Sequence, residues 1–203
     1  MTVANPILQA LIHDALVLFA MVNVVGNFPV FADLTAGLPR KERTRAFDIA
    51  VLTAASIVIS FAFLGSWMLQ SLFQVDTNSF KVAGGLLVFF VAARGMIMGN
   101  QKAHVPHPES LELIGVFPMG YPFLAGPGTI VTTILLMQEG GAWITACAAG
   151  LVYLTVLPLL YLTPVIHLVI GRVGVMVISR ILYIFICAKA VAYVLAGLKA
   201  SFL

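Results

Sequence analysis

The chain has 203 residues, of which 61% are hydrophobic and 9% charged, and its formal net charge is +3. A soluble domain carries about 25% charged residues; with a mean hydropathy of +1.06, a water-soluble globular domain is excluded. Six membrane spans of about 20 residues with connectors consume nearly the whole length and leave none for a soluble domain. The basic surplus sits in particular connectors, so it reads as membrane topology and not as a nucleic-acid surface.

In chain order the apolar runs fall at about 9–34, 47–73, 80–98, 114–137, 142–170 and 177–199. Several exceed the ~20 residues needed to cross hydrocarbon, so tilt or kinks are expected. Met1 to Gln9 carries no Lys or Arg and no cleavage pattern follows the first run, so the first span is expected to stay in the mature protein. The longest connector, Gly99–Leu113, divides the chain into a unit at 1–98 and a unit at 114–203. Arg40, Lys41, Arg43 and Arg45 follow the first span, Lys102 follows the third, and Arg172 and Arg180 flank the last connector. These basic residues predict a cytoplasmic side for their connectors and both termini outside the plasma membrane. Three spans per unit is an odd number, so a second copy must enter the membrane inverted, as in many secondary transporters. The expected fold is therefore an all-α membrane protein of six helices in two inverted three-helix repeats.

Two helix-breaking stretches occupy the first run of each unit. Asn23-Val24-Val25-Gly26-Asn27-Phe28-Pro29 is the first, and Gly126-Pro127-Gly128-Thr129 is the second. Proline removes a backbone donor and clashes with the preceding turn, and glycine weakens a helix entropically. Spans 1 and 4 are thus expected to break at mid-membrane. A broken helix exposes N–H groups that favour a carboxylate and C=O groups that favour an ammonium, which is the charge pattern of a zwitterionic amino acid. Gly26, Gly126 and Gly128 would admit a ligand close to the backbone. Asn23, Asn27 and Thr129 would add hydrogen bonds, Ala125 a small apolar wall, and Pro29 and Pro127 the breaks themselves. Such a pocket suits a small side chain. The plainer reading is that the prolines only kink packed helices.

The stretch Asn23–Phe31 resembles the Asn-Pro-x-Gly-x-x-Pro-x-Phe motif of the MarC family of integral membrane proteins. Phe80-Lys81-Val82-Ala83-Gly84-Gly85-Leu86-Leu87 is similar to that family's third-span start, and Pro122–Ile130 to its fourth-span signature. The family pattern has proline where this chain has Val24, which implies a less sharply broken first helix. The resemblance implies carriers of small neutral amino acids such as glycine and alanine, with six spans, an inverted repeat and discontinuous first and fourth helices.

Charges inside spans are functional candidates by default. Asp14 is a candidate for carrying a coupling proton or receiving a substrate ammonium, the plainer reading being an interfacial residue wetted by the outer headgroups. Lys189 is expected to face a wet cavity or to pair with an acid, Asp14 being the nearest by depth. Protons are favoured over sodium as the coupling ion. Arg94 is expected to snorkel, and Asp33 and Asp48 to pair with the arginines of the first connector. Cys147 and Cys187 read as small buried apolar residues, and Gly84, Gly85, Gly95 and Gly99 as close helix contacts. Trp67, Trp143, Tyr153, Tyr161, Tyr183 and Tyr193 read as interface anchors or packing. His104 and His107 read as solvated loop residues, and His13 and His167 lack partners by spacing. No metal, cofactor or nucleic-acid partner is expected; lipid is, and a homo-oligomer is open. The chain has no phosphate-binding Gly-x-x-x-x-Gly-Lys-Ser/Thr loop, so it is not expected to use ATP itself, and coupling would come from an ion gradient. The alternatives are an exporter of small metabolites or drugs, and an intramembrane enzyme using His13, Asp14 and the loop histidines. The latter needs polar groups converging at one depth, whereas the polar residues are scattered along the sequence.

Overall fold

The computed structural model describes residues 5–35, 37–98 and 111–202, without the side chains of residues 164, 167, 168, 170, 172 and 202. Gly99, Lys102, His104 and His107 lie outside the described residues, as do the chain ends and the side chains of His167 and Arg172. The described residues are helical with no strand: α1 (Pro6–Val22), α2 (Val24–Leu34), α3 (Arg40–Trp67), α4 (Thr77–Met98), α5 (Leu111–Ile114), α6 (Pro127–Gly140), α7 (Ala142–Tyr161) and α8 (Thr163–Phe202). Five helical stretches among them are long and apolar enough to cross a membrane. A sixth is added if the bent pair Leu111–Leu124 and Pro127–Gly140 counts as one.

Small residues let the long helices approach. On α3, Ala46, Ala50, Ala54, Val58 and Ala62 recur every four residues and are all buried, forming one face of a helix that packs against both α7 and Gly115–Leu124. Ala148, Ala149, Val152 and Val156 of α7 share the resulting core with Leu18, Val22, Phe28 and Phe31. The closest association is between α4 and α8. A Cβ added at Gly85 would lie 2.9 Å from the Ala190 carbonyl oxygen, and one at Gly197 would lie 2.7 Å from the Asn78 carbonyl oxygen. Gly84 meets Val131 of α6 and Gly95 meets the Tyr183 ring, so these glycines serve close packing. The outward faces are apolar, with Leu52, Phe90, Ile97, Leu154 and Phe185 all well exposed. A soluble monomer rarely shows so continuous an apolar exterior.

Several elements differ from the sequence expectation. The fifth run ends at Tyr161, not at about 170, because the chain turns at Leu162 and starts α8 at Thr163. Hydropathy runs unbroken through this turn and hides it. Within α8 the backbone breaks at Gly171, whose φ of 70° is open to glycine, and the apolar span proper is Val173–Ser201. Arg180 therefore lies inside the last helix and not in a connector. Cys147 is exposed on α7 and Cys187 is half-buried, because an outward face here is still an apolar one. Asp48 accepts a hydrogen bond from Tyr161 Oη, and the ion pair at this end joins Arg45 to Glu112 at 3.1 Å.

Candidate functional site

The two helix-breaking stretches meet, and each break is held by side chains. At the first, Asn23 takes the left-handed conformation, φ 44° and ψ 47°, between α1 and α2. Asparagine tolerates this region better than most residues. Its Oδ1 accepts from the Gly26 N–H at 3.3 Å, and its Nδ2 donates to Ser179 Oγ of α8 at 3.1 Å. Pro29 lies inside α2 without ending it. The whole of Pro6–Leu34 still counts as one apolar stretch of 29 residues.

The second break is sharper. Gly115–Leu124 winds irregularly, with extended backbone at Phe117 and Tyr121, and the flanking helical pieces meet at 58°. Gly126 is extended, φ −73° and ψ 168°, and Pro127 opens α6, where a missing N–H costs nothing and the fixed φ suits the first turn. The carbonyls freed here find donors, as a buried break requires. Tyr153 Oη of α7 donates to the Leu124 carbonyl at 3.0 Å. The Asn27 amide nitrogen donates to the Phe123 carbonyl at 3.2 Å and to the Val22 carbonyl at 3.3 Å. One buried side chain thus ties the two breaks together.

Between them lies a cavity of about 430 Å³, within the size range of small-molecule sites. Asn23, Asn27, Gly126, Pro127, Gly128 and Thr129 line it, along with Met21 and Val22 of α1, Val88 and Arg94 of α4, and Tyr183 and Ile186 of α8. Gly26, Pro29 and Ala125 are placed elsewhere. A Cβ at Gly26 would run into Ser179 Oγ, so that glycine admits α8, not the cavity. Ala125 is buried in the core. A Cβ at Gly126 would lie 2.7 Å from the Pro122 carbonyl oxygen, whereas one at Gly128 would face the mobile end of Met21 at 3.0 Å. The uncapped N-terminus of α6 thus presents Gly128 and Thr129 to the cavity, with the positive end of its helix dipole.

Sequence reasoning missed Arg94, Ser179 and Tyr183. Arg94 carried a signal, a lone charge in an apolar run, but snorkelling explained it equally well. Ser179 and Tyr183 carried none, since α8 brings them to Asn23 from far along the chain. Tyr183 lines the cavity together with Asn23. A larger groove of about 760 Å³ between α1 and α7 is lined by Leu8, Ile12, Leu16, Leu151 and other residues that are apolar apart from Thr155. It has nothing to hold a zwitterion.

Asp14 and Lys189 lie apart from the cavity. Asp14 is nine positions before Asn23, about 13 Å along the helix at 1.5 Å per residue. It is 3% exposed and accepts from Thr145 Oγ1 of α7 at 2.9 Å. The expected direct pairing with Lys189 is replaced by a bridge through His13. His13 Nδ1 lies 3.2 Å from Asp14 Oδ1, and Lys189 Nζ lies 3.5 Å from His13 Nε2. The ammonium also sits 5.0 Å over the Tyr193 ring, in cation–π range.

Helix lengths, apolar exterior and buried polar breaks define an integral membrane protein with several spanning helices. Residues 8–202 match the model of the MarC family integral membrane protein, and the chain belongs to that family. It is 31% identical to a UPF0056 membrane protein of Methanocaldococcus jannaschii over 92% of this chain and 94% of the relative. It is 30% identical to the UPF0056 membrane protein YvbG of Bacillus subtilis over 95% of each. It is 32% identical to the UPF0056 membrane protein YhcE of Escherichia coli over 91% of this chain and 90% of the relative. No solved structure matches the chain.

Proposed function

We propose that this protein is a secondary transporter of small neutral amino acids of the glycine and alanine class, driven by an ion gradient, with protons as the coupling ion. It acts as a carrier and not as an enzyme, in the plasma membrane with both termini outside. The observation that carries the reading is the cavity at the meeting of the two breaks. On one side stands the uncapped N-terminus of α6 with Arg94 nearby, which suits a carboxylate. On another stands the C-terminal turn of α1, Met21 to Asn23, whose negative dipole end suits an ammonium. Met21, Val88 and Ile186 leave room for a small apolar side chain.

The inverted repeat belongs to this reading, with breaks at mid-membrane in spans 1 and 4. Its support is a packing pattern that repeats when the halves are exchanged. The third long helix of one half packs on that of the other (α4 on α8), and the second on the second (α3 on α7). The first stretch of each half packs on the second helix of the opposite half: α1 on α7, and Gly115–Leu124 with α6 on α3. The later part of each first stretch meets the opposite third helix, α2 on α8 and α6 on α4.

The test is uptake into vesicles holding the purified protein, with a panel of amino acids and imposed proton or sodium gradients. Glycine and alanine are expected to accumulate with a proton gradient, and leucine, aspartate and hydrophobic drugs are not. Failure of every amino acid in the panel under every gradient would sink the reading.

A further inference from the structure

His13, read from spacing as partnerless, lies at the centre of a charged cluster. Its ring bridges Asp14 and Lys189. An ammonium only donates and a carboxylate only accepts, so these partners assign the tautomer: Nδ1–H donates to Asp14, and Nε2 accepts from Lys189. The His13 side chain is 51% exposed and that of Asp14 only 4%, so the ring is the accessible edge of a buried carboxylate.

Each helix packed against this part of α1 contributes to the surroundings. From α7 comes Thr145, bonded to Asp14. From α8 come Lys189 and Tyr193. From α6 comes Gly140, where an added Cβ would lie 3.5 Å from Asp14 Oδ2, with Glu139 next to it in the chain. The cluster therefore sits at the middle of α1 and the far end of α6, two helices whose other ends line the cavity. Asp14 precedes the break of α1 by nine residues, and Glu139 and Gly140 end the 14-residue α6 that Pro127 begins.

We propose that His13, held between Asp14 and Lys189, is the proton-exchanging site of this protein, an assignment that rests on the transport reading for its role in coupling. A proton from the adjoining aqueous phase binds His13 Nε2. That nitrogen changes from acceptor to donor, its hydrogen bond from Lys189 breaks, and the ring cation stays on the Asp14 carboxylate. The displaced ammonium keeps its place over the Tyr193 ring, 5.0 Å away. Loss of the proton from Nε2 restores the Lys189 bond. Protonation thus breaks the tie between His13 of α1 and Lys189 of α8, and α1 leads from there to the cavity at Met21 and Val22.

The experiment titrates the four histidines of the 15N-histidine-labelled protein in detergent by NMR between about pH 5 and 8, where histidine changes charge. Loss of one signal in His13→Gln identifies His13. With a charge within about 4–6 Å, removing it moves a midpoint by about 1 unit or more. Lys189→Met is therefore expected to raise the midpoint of the His13 signal and Asp14→Asn to lower it. In vesicles, alanine uptake by the unaltered protein is expected to rise several-fold as the outside pH falls, and His13→Gln to lose that dependence. Gel filtration and thermal unfolding confirm that each variant is folded, and Asp14→Asn keeps an oxygen for Thr145. A His13 midpoint that neither substitution moves overturns the site. A midpoint that moves as expected while His13→Gln keeps the original pH profile overturns its role in coupling. Unaltered protein that takes up no amino acid refutes the transport reading instead, and the substrate-free titration then decides the proton site by itself.

Discussion

Gly128→Val separates a binding cavity from a packing void. Gly128 occupies the second position of α6, with the end of Met21 3.0 Å and Val88 Cγ2 3.9 Å from where a Cβ would stand. The methionine methyl is the flexible tip of an adaptable side chain, so the backbone need not move. Replacing a helical glycine recovers a few tenths of a kcal/mol, about enough to offset that displacement. The thermal midpoint in detergent is therefore expected to stay within a few degrees of the parent. A ligand in the cavity has no such freedom. Crowding of a fitted site costs about 1–3 kcal/mol, which is about 5- to 150-fold in affinity. The assay is calorimetric titration of alanine into the folded protein, with Gly150→Val as control, because nothing lies within 4 Å of a Cβ at Gly150. Folded Gly128→Val that binds alanine as tightly as Gly150→Val would refute the assignment of the cavity. Gly126→Leu is the poorer probe, since its Cβ would strike the Pro122 carbonyl oxygen at 2.7 Å and damage the fold as well as the site.

Asn27→Ala removes the donor to both the Val22 and Phe123 carbonyls. Each buried acceptor left unpaired costs about 1–3 kcal/mol, so thermal unfolding should show a clear loss of stability, and Asn27→Asp, which also lacks the donor, should do no better. At Asn23 the left-handed backbone costs an alanine about 1–2 kcal/mol. Asn23→Gly should therefore unfold at a higher temperature than Asn23→Ala, and the reverse order would contradict the assigned backbone. Asp76 lies before α4, and its Oδ1 accepts from the Asn78 and Ser79 N–H groups at 2.9 and 3.0 Å. Its side-chain bond to Ser79, then the backbone bonds, hold its pKa below the ordinary 3.8. A depressed folded-state value means that the stabilisation is present above 3.8 and is lost as pH falls through the lower folded value. Asp76→Asn should flatten this acid dependence of hydrogen exchange at the start of α4.

The sequence by itself determined the membrane setting, the number of apolar runs and the places where the chain would yield. These are properties of consecutive residues. Hydrocarbon demands about 20 apolar residues in a row, and Asn23, Gly126 and Pro127 act on their own backbone wherever the helix lies. It also marked Asp14 and Lys189, because a charge in an apolar run stands out without knowledge of its surroundings. Tertiary structure alone decided what these residues face. Asn27 reads from sequence as a ligand group, yet its amide nitrogen serves two backbone carbonyls, one of them 96 positions away. Gly26 reads as room for a substrate and instead makes room for Ser179, and Arg94 turns from a snorkelling end residue into part of the cavity wall. His13 has no partner within its own helix other than its neighbour Asp14, and its second partner lies 176 positions later on α8. Periodicity tells which side of a helix is apolar but not which neighbour that side meets. In a chain whose faces are nearly all apolar, the buried hydrogen bonds and the close approaches at Gly85 and Gly197 choose the neighbours. Those depend on the whole fold.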